Sequence, residues 1–359
     1  MITENAPAAR GGRIVAIQLL RAVAALAVAA AHLAFGFADM IGTGLALGTD
    51  WRGEREAQGA VMLFFIVSGY VMVEASQGRF GMPGARGQFW RRRLIRIMPP
   101  YWIASGLLAA VLIVALGKTV DPGHVLRSLA LVPQWPGRGE LRASLFLWVG
   151  WTLIYEMAFY LLFGLFLSWP RRQAIIGVTA VLAAAIVAGT WVPPVDPLIF
   201  ALTRPLPVMF VAGMGLALWR GRGGALSPRW RWLALAAVIP AVLAVPAPLA
   251  PTAAGWDYLA WAGIPALLIA LAVLGGPLTL PQPHWINRAG DASYALYLLH
   301  LPAGWLCFRL VAYGAGPWSY LAVAMIVSLA VSWLFFRWIE QPMTAALNRR
   351  FAPPHKAHG

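Results

Sequence analysis

Two ionisable side chains, Arg21 and His32, lie eleven positions apart in one long apolar run of the sequence. In a helix, eleven steps of about 100° bring both side chains to the same face, roughly 16 Å apart along the axis. Inserting such a group into a membrane costs on the order of 3 kcal/mol, and the groups found there are commonly functional. The pair predicts a reactive face or, alternatively, an arginine that extends to the interface and a histidine hydrogen-bonded within a bundle.

A carboxylate, Glu156, lies in a second apolar run, and Tyr160 follows one turn later on the same helix face. One interpretation is a structural ion pair with an arginine at membrane depth, Arg204 or Arg309, and the sequence does not choose between them. The other is a group that orients a catalytic histidine or accepts a proton from it.

A third run carries Ser293, Tyr297 and His300 at i, i+4 and i+7, which predicts one polar stripe on a helix. The single cysteine, Cys307, continues the stripe, but a lone cysteine in a membrane helix more commonly packs as a small apolar side chain. One cysteine also excludes an internal disulfide and a cysteine metal cluster. The remaining histidines lack metal-ligand spacing, so we predict no metal site.

An arginine cluster precedes Pro99 in what the pattern predicts to be a cytoplasmic loop after the second span. Its members are Arg91, Arg92, Arg93 and Arg96. Such a cluster can anchor the chain against anionic lipid, or it can hold phosphate groups through paired guanidinium hydrogen bonds. No glycine-rich phosphate loop accompanies it, so a P-loop nucleotide site is not expected.

Membrane helices must position these side chains, because the composition leaves little else. Of the 359 residues, 60% are hydrophobic and 11% charged, and the mean hydropathy is +0.70. A chain this apolar lacks the polar surface of a water-soluble protein, and it is neither disordered nor mainly a nucleic-acid-binding domain. Apolar runs of about 20 residues predict an all-α, polytopic integral membrane protein with about ten transmembrane helices. The predicted spans lie near 14–37, 58–76, 99–117, 144–168, 173–191, 199–219, 231–250, 256–275, 291–313 and 318–338.

The distribution of positive charge predicts the orientation. The formal net charge is +15, and eighteen of the 28 Lys and Arg residues are cytoplasmic if the N-terminus is cytoplasmic, so we expect both termini there. Arg10 and Arg13 ahead of Ala22–Ala31 could indicate a cleaved signal peptide, but the apolar pattern extends beyond that run on both sides. The predicted organisation is a cytoplasmic segment, a transmembrane domain and a cytoplasmic tail, at 1–13, 14–342 and 343–359.

Six segments resemble the motifs of the membrane-bound acyltransferase-3 family, and they occur in the family's order across nearly the whole chain. They are the arginine–ten residues–histidine run, F-F-I-V-S-G-Y, the arginine cluster, W-T-L-I-Y-E-M-A-F-Y, G-D-A-S-Y-A-L-Y-L-L-H-L-P and I-E-Q-P. Their positions are Ile17–His32, Phe64–Tyr70, Arg92–Pro99, Trp151–Tyr160, Gly290–Pro302 and Ile339–Pro342. In their exact residues, these motifs are most similar to those of exopolysaccharide-acetylating members of the family. One difference is Ala60-Val61-Met62, where members often have Gly-Val-Asp.

The resemblance implies an acyltransferase in a bacterial cytoplasmic membrane. Its acyl donor would be cytoplasmic acyl-CoA, chiefly acetyl-CoA, and its acceptor a hydroxyl of a saccharide or glycolipid at the outer side, with no permanently bound cofactor. The catalytic residues implied are His32, as general base or acyl acceptor, and Glu156, which could orient it. The residues implied for acyl-CoA are Arg21, Arg92, Arg93 and Arg96. The substrate pocket would contain Ser68, Tyr160, Ser293, Tyr297 and His300.

A different class of function would also fit a polytopic chain with ionisable groups at membrane depth. A secondary transporter or flippase for a saccharide or lipid-linked precursor uses such groups to relay protons or to bind sugar. That class predicts an inverted repeat, and none is visible in the sequence. A structural scaffold would leave His32 and Glu156 without a role.

Overall fold

The described part of the chain is helical. Regular structure there consists of helices, apart from one antiparallel β-bridge between Gln134 and Ser144. This confirms the predicted all-α class for the described residues. The computed structural model describes residues 7–40, 53–135, 143–191, 195–246, 255–277, 284–308, 314 and 316–351.

The helices of the first half are five long ones and a short one. They are α1 (Pro7–Met40), α2 (Gly53–Ala75), α3 (Ala85–Ala110), α4 (Pro122–Leu129), α5 (Trp151–Phe166) and α6 (Arg171–Ala188). A π-helical turn, Val111–Ala115, extends α3, and a 3₁₀ turn, Trp148–Gly150, leads into α5. The short α4 begins at an N-cap, Asp121, whose carboxylate accepts a hydrogen bond from the Gly123 N–H at 2.9 Å.

The helices of the second half are shorter and more often interrupted by proline and glycine. They are α7 (Pro197–Leu202), α8 (Val208–Gly221), α9 (Pro228–Ala236), α10 (Val238–Ala244), α11 (Trp256–Tyr258), α12 (Ile264–Leu274), α13 (His284–Cys307), α14 (Pro317–Phe335) and α15 (Gln341–Arg350). A π-helical turn, Leu259–Gly263, joins α11 to α12, and another, Phe336–Glu340, joins α14 to α15.

The protein is a multi-pass membrane protein, since several helices in the described residues are long and apolar enough to cross a bilayer. Seven stretches qualify: Val15–Ala34, Arg55–Ala75, Ala85–Ala115, Trp148–Phe166, Arg171–Ala188, Trp256–Leu274 and Pro317–Arg350. The other predicted spans fall on α7 with α8, on α9 with α10, and on the more polar α13. Residues 247–250 and 309–313 of those spans lie outside the described residues. The count of ten and the cytoplasmic placement of both termini stay predictions.

The arginine cluster lies in a helix, so the predicted loop is wrong. Helix α3 begins directly after Gly84, whose φ of 74° is readily adopted by glycine, and runs through the cluster and past Pro99. Arginine is a good helix former, and its long side chain can carry the charge away from an apolar helix surface. The cluster is therefore presented on a rigid helix rather than on a connection.

Helices α2 and α8 cross with their backbones in close approach, which fixes one wall of the bundle. A Cβ atom added to Gly69 would lie 2.1 Å from the carbonyl oxygen of Phe210. One added to Gly213 would lie 1.9 Å from the carbonyl oxygen of Ile66. Only glycine fits at these two points, as is common where membrane helices pack tightly. The crossing holds the neighbouring Ser68 at a defined position.

Helices α1 and α13 run parallel as neighbours. Gly290 packs against Gln18 near one end of the contact, and Gly304 packs against Leu33 near the other. Helix α14 returns antiparallel, and its Tyr320 hydroxyl donates to the Gly304 carbonyl oxygen at 3.1 Å. This register brings polar side chains that are far apart in the sequence to the same level of the bundle.

Candidate active site

His32 of α1 and His300 of α13 form a hydrogen-bonded pair, which we call the histidine pair. The Nδ1 atom of His32 lies 2.9 Å from the Nε2 atom of His300. The Nδ1 atom of His300 lies 3.0 Å from the backbone oxygen of Leu296. His300 is completely buried, whereas His32 is partly exposed and packs against Trp148 with ring centroids 4.4 Å apart. His32 is therefore the more accessible member of the pair.

Glu156 occupies a separate polar cluster, between α2 and α5. Ser68 Oγ donates to Glu156 Oε1 at 3.1 Å, and the Tyr160 hydroxyl donates to the same oxygen. Tyr160 reaches it because it follows one helical turn later, as the sequence predicts. The carboxylate thus accepts hydrogen bonds from two hydroxyl groups, one on α2 and one on α5.

The expected partners of Glu156 and His32 are not the ones that the structure brings together. His32 lies at hydrogen-bond distance from His300, which the sequence placed in a substrate pocket. Glu156, which was expected to orient His32, instead bonds to Ser68 and Tyr160. Arg204 instead donates to the Gly189 carbonyl oxygen at 2.9 Å and stacks over Phe200. Arg309 lies outside the described residues.

A cavity of about 100 Å³ opens beside Glu156, and we call it the arginine–glutamate cavity. Three guanidinium groups, those of Arg21, Arg93 and Arg96, border it together with that one carboxylate. Its size is enough for several water molecules or for a short acyl group. The excess of positive charge among apolar helices suits an anionic ligand.

Because the arginine cluster lies on a helix, its members point to different surroundings. Arg93 and Arg96 are three residues apart on one face of α3 and border the cavity. The Arg93 guanidinium lies 5.2 Å from the ring centroid of Tyr160, in cation–π geometry. Arg92 is exposed and is not part of the cavity wall, and Arg91 donates to the backbone oxygen of Phe351.

The remaining predicted pocket residues also border the cavity, namely Ser68, Tyr160, Ser293 and Tyr297. Tyr297 connects it to the histidine pair, because its ring centroid lies 6.3 Å from that of His300. Its hydroxyl donates to the Val149 carbonyl oxygen at 2.6 Å and lies 2.7 Å from Thr152 Oγ1. Ser293 turns its hydroxyl back to its own helix, where it donates to the Gly290 carbonyl oxygen at 2.7 Å.

The sequence did not predict the side chains that hold Arg21 in place, Gln18 and Asp291. Gln18 accepts a hydrogen bond from Arg21 Nη1 at 3.3 Å and donates to Asp291 Oδ1 at 2.5 Å. Asp291 also attracts the Arg21 guanidinium through its charge. A search for every ionisable group within the apolar runs would have found Asp291, since it directly follows Gly290 in a predicted span. Its pairing with the first helix has no signal in a single sequence.

Comparisons with known proteins show the family of the chain. Residues 14–337 match the acyltransferase domain family. The chain is 29% identical over 305 residues to the exopolysaccharide production protein ExoZ of Rhizobium meliloti (strain 1021), which covers 79% of this chain and 88% of that protein. No solved structure matches the chain. The match spans most of the chain, including all the residues of the histidine pair and the cavity, and the protein therefore belongs to the membrane-bound acyltransferase-3 family.

Proposed function

We propose that this chain is a membrane O-acyltransferase that moves an acyl group, chiefly acetyl, from cytoplasmic acyl-CoA to a saccharide hydroxyl. The observation that carries this proposal is the excess of guanidinium groups in a cavity next to a histidine pair. Family membership supports acyl transfer as the reaction. The similarity to a protein named for exopolysaccharide production supports a saccharide or glycolipid of the cell envelope as acceptor.

The arginine–glutamate cavity receives one part of the donor, because a volume of about 100 Å³ is too small for a whole acyl-CoA molecule. Coenzyme A carries several phosphates, and guanidinium groups bind phosphate through paired, charge-assisted hydrogen bonds. Arg93 and Arg96 offer such groups from one helix face, and Arg21 adds a third from α1. The helical spacing from Arg21 to His32 is roughly 16 Å, a span that a slender pantetheine arm can bridge. The thioester then lies near Tyr297 while the nucleotide stays on the arginine side.

His32 acts as the general base. The acceptor hydroxyl gives its proton to His32 as its oxygen attacks the thioester carbonyl carbon, and the carbon–sulfur bond breaks. The same proton then passes to the thiolate, so that the products are an ester and a free thiol. Glu156 supports the reaction from the cavity, where it balances the arginines and fixes the hydroxyls of Ser68 and Tyr160.

The test is acyl transfer by purified protein in vesicles, with radiolabelled acetyl-CoA and saccharide acceptors of the producing cell. Wild-type protein releases free CoA and labels the acceptor in equal amounts. His32→Ala abolishes both, whereas His284→Ala, at an exposed site on α13, changes neither. Full transfer by the His32→Ala variant at matched expression contradicts the assignment of the base. Saccharide movement across the membrane without release of CoA favours a transporter instead.

A further inference from the structure

The histidine pair contains a fixed sequence of donors and acceptors. A backbone carbonyl can only accept, so the contact of 3.0 Å between His300 Nδ1 and Leu296 requires a hydrogen on that ring nitrogen. A neutral imidazole carries one donor nitrogen and one acceptor nitrogen. The Nε2 atom of His300 therefore has a free electron pair, and it faces His32.

The same rule then fixes the proton on His32. Its Nδ1 atom lies 2.9 Å from the accepting Nε2 atom of His300, so His32 Nδ1 is the donor. The Nε2 atom of neutral His32 consequently has no hydrogen. It is the atom of the pair that can take a proton from a substrate.

The surroundings favour a neutral His300. Its side chain is completely buried, and a proton on its Nε2 atom would oppose the N–H of His32 across 2.9 Å. Among the described residues, the two rings contact each other and the backbone of Leu296 and Tyr297, and no carboxylate takes part. The tautomer of His32 is thus set by a neutral partner rather than by an acid.

We propose that His300 is a positioning residue that holds His32 in the tautomer with a bare Nε2 atom. The inference rests on the proposed function, and it assigns the atom that removes the proton from the acceptor hydroxyl. When that proton arrives, His32 becomes an imidazolium, and its Nδ1–H bond to His300 becomes charge-assisted. The proton leaves again from Nε2 to the thiolate, so His300 stays neutral throughout. His300 contacts no substrate in this scheme.

Two substitutions of His300 separate this role from simple packing. In His300→Gln, the side-chain oxygen can occupy the position of Nε2 and accept from His32 Nδ1. In His300→Asn, the amide reaches only the position of Nδ1, so the acceptor for His32 is lost. We expect kcat/KM for acyl transfer to fall about 10-fold in the Gln variant and about 100-fold or more in the Asn variant. The KM for acyl-CoA stays unchanged in both.

The direct measurement is nitrogen-15 NMR of ring-labelled histidine in lipid nanodiscs, because protonated and bare ring nitrogens have distinct shifts. The His32 signals are identified by their loss in His32→Ala. We expect Nδ1 to be protonated and Nε2 bare in the wild type and in His300→Gln, and a mixture of tautomers in His300→Asn. A protonated His32 Nε2 atom in the wild type overturns the inference, as do equal activities of the two variants.

The NMR measurement needs no substrate, so it distinguishes this inference from the proposed function. A wild-type protein with the expected ring protonation that never releases CoA in the vesicle assay supports the assignment of the nitrogens and overturns the acyltransferase proposal. Wild-type transfer with the opposite ring protonation supports the proposed function and overturns the role of His300.

Discussion

The histidine pair and the arginine–glutamate cavity are neighbouring polar regions that differ in charge and in hydrogen bonding. The two rings of the pair contact each other and nearby backbone carbonyl groups, and both rings are neutral in the arrangement that we propose. The cavity walls carry three guanidinium groups and one carboxylate among the described residues, and Asp291 and Glu340 interact with Arg21 and Arg96 from outside the walls. The difference indicates that the cavity presents guanidinium groups to a ligand, whereas the pair is suited to the transfer of a single proton.

Tyr297 makes the two regions one site. Its side chain borders the cavity, and its ring lies beside that of His300. Its hydroxyl is bonded to the turn that leads into α5, so the residue is held by two elements. A donor bound at the arginines can therefore present its acyl end near the pair while its phosphates remain at a distance.

The largest expected effect is a loss of stability when Glu156 of the arginine–glutamate cavity is replaced. Glu156→Ala leaves the hydroxyls of Ser68 and Tyr160 without their acceptor and removes the one carboxylate that borders the cavity among the described residues. Glu156 is partly buried, and its loss removes the acceptor of two hydroxyl groups next to three guanidinium groups, so we expect a loss of about 3 kcal/mol in thermal unfolding in detergent. Glu156→Gln keeps an accepting oxygen and should lose about half as much. An alanine variant as stable as the wild type would contradict this account of the cavity.

A smaller effect is expected from the helix crossing that supports the cavity but not the histidine pair. In Gly69→Ala the new methyl group meets the Phe210 carbonyl oxygen, and overpacking of this kind costs about 1–3 kcal/mol. The control is Gly106→Ala in α3, where no heavy atom lies within 4 Å of the new carbon. Unfolding temperatures of both variants check the prediction. Equal temperatures would mean that α2 and α8 do not need this close approach.

Next in size is the loss of one cation from the cavity. Arg93→Gln should raise the KM for acyl-CoA about 10-fold, or about 1.4 kcal/mol, with little change in kcat, because a phosphate contact is lost while the base remains. Arg92→Gln is the matched control, since Arg92 is exposed on the same helix and outside the cavity wall. Steady-state kinetics in vesicles measure both. An equal rise in KM for the two variants would indicate that general surface charge, rather than the cavity, binds the donor.

The smallest effect is expected from one hydroxyl. Tyr160→Phe removes a single hydrogen bond to Glu156 and keeps the ring against Arg93. One such bond contributes about 1 kcal/mol, so unfolding should shift by that amount and transfer should fall less than 10-fold. Loss of all activity would instead give Tyr160 a direct part in the reaction.

Much of the fold follows from patterns along the chain. Long apolar runs predicted the helices that could cross a membrane, and helical spacing placed Tyr160 with Glu156. The start of α3 was predicted too late, because charged residues were assigned to a loop although arginine favours helices. The interrupted segments around α7 to α10 are similarly hard to count, since proline and glycine occur both within membrane helices and between them.

The partners within the site could not be predicted, for a physical reason. Periodicity shows which face of a helix is polar, but not which helix lies opposite. His32 and His300 meet because α1 and α13 run parallel in a particular register, and Glu156 meets Ser68 through the crossing of α2 near α5. These relations depend on packing across the whole bundle. The sequence therefore named the residues of both regions as candidates, but it did not show that His300 would lie beside His32.

The central claim is that donor binding and proton transfer are divided between the two regions. Calorimetric titration of acetyl-CoA into nanodisc-embedded wild-type, His32→Ala and Arg93→Gln protein tests it most directly. The account predicts that His32→Ala binds the donor as tightly as the wild type, although it cannot transfer the acyl group, and that Arg93→Gln binds about 10-fold more weakly. Loss of binding in His32→Ala together with unchanged binding in Arg93→Gln would contradict the division.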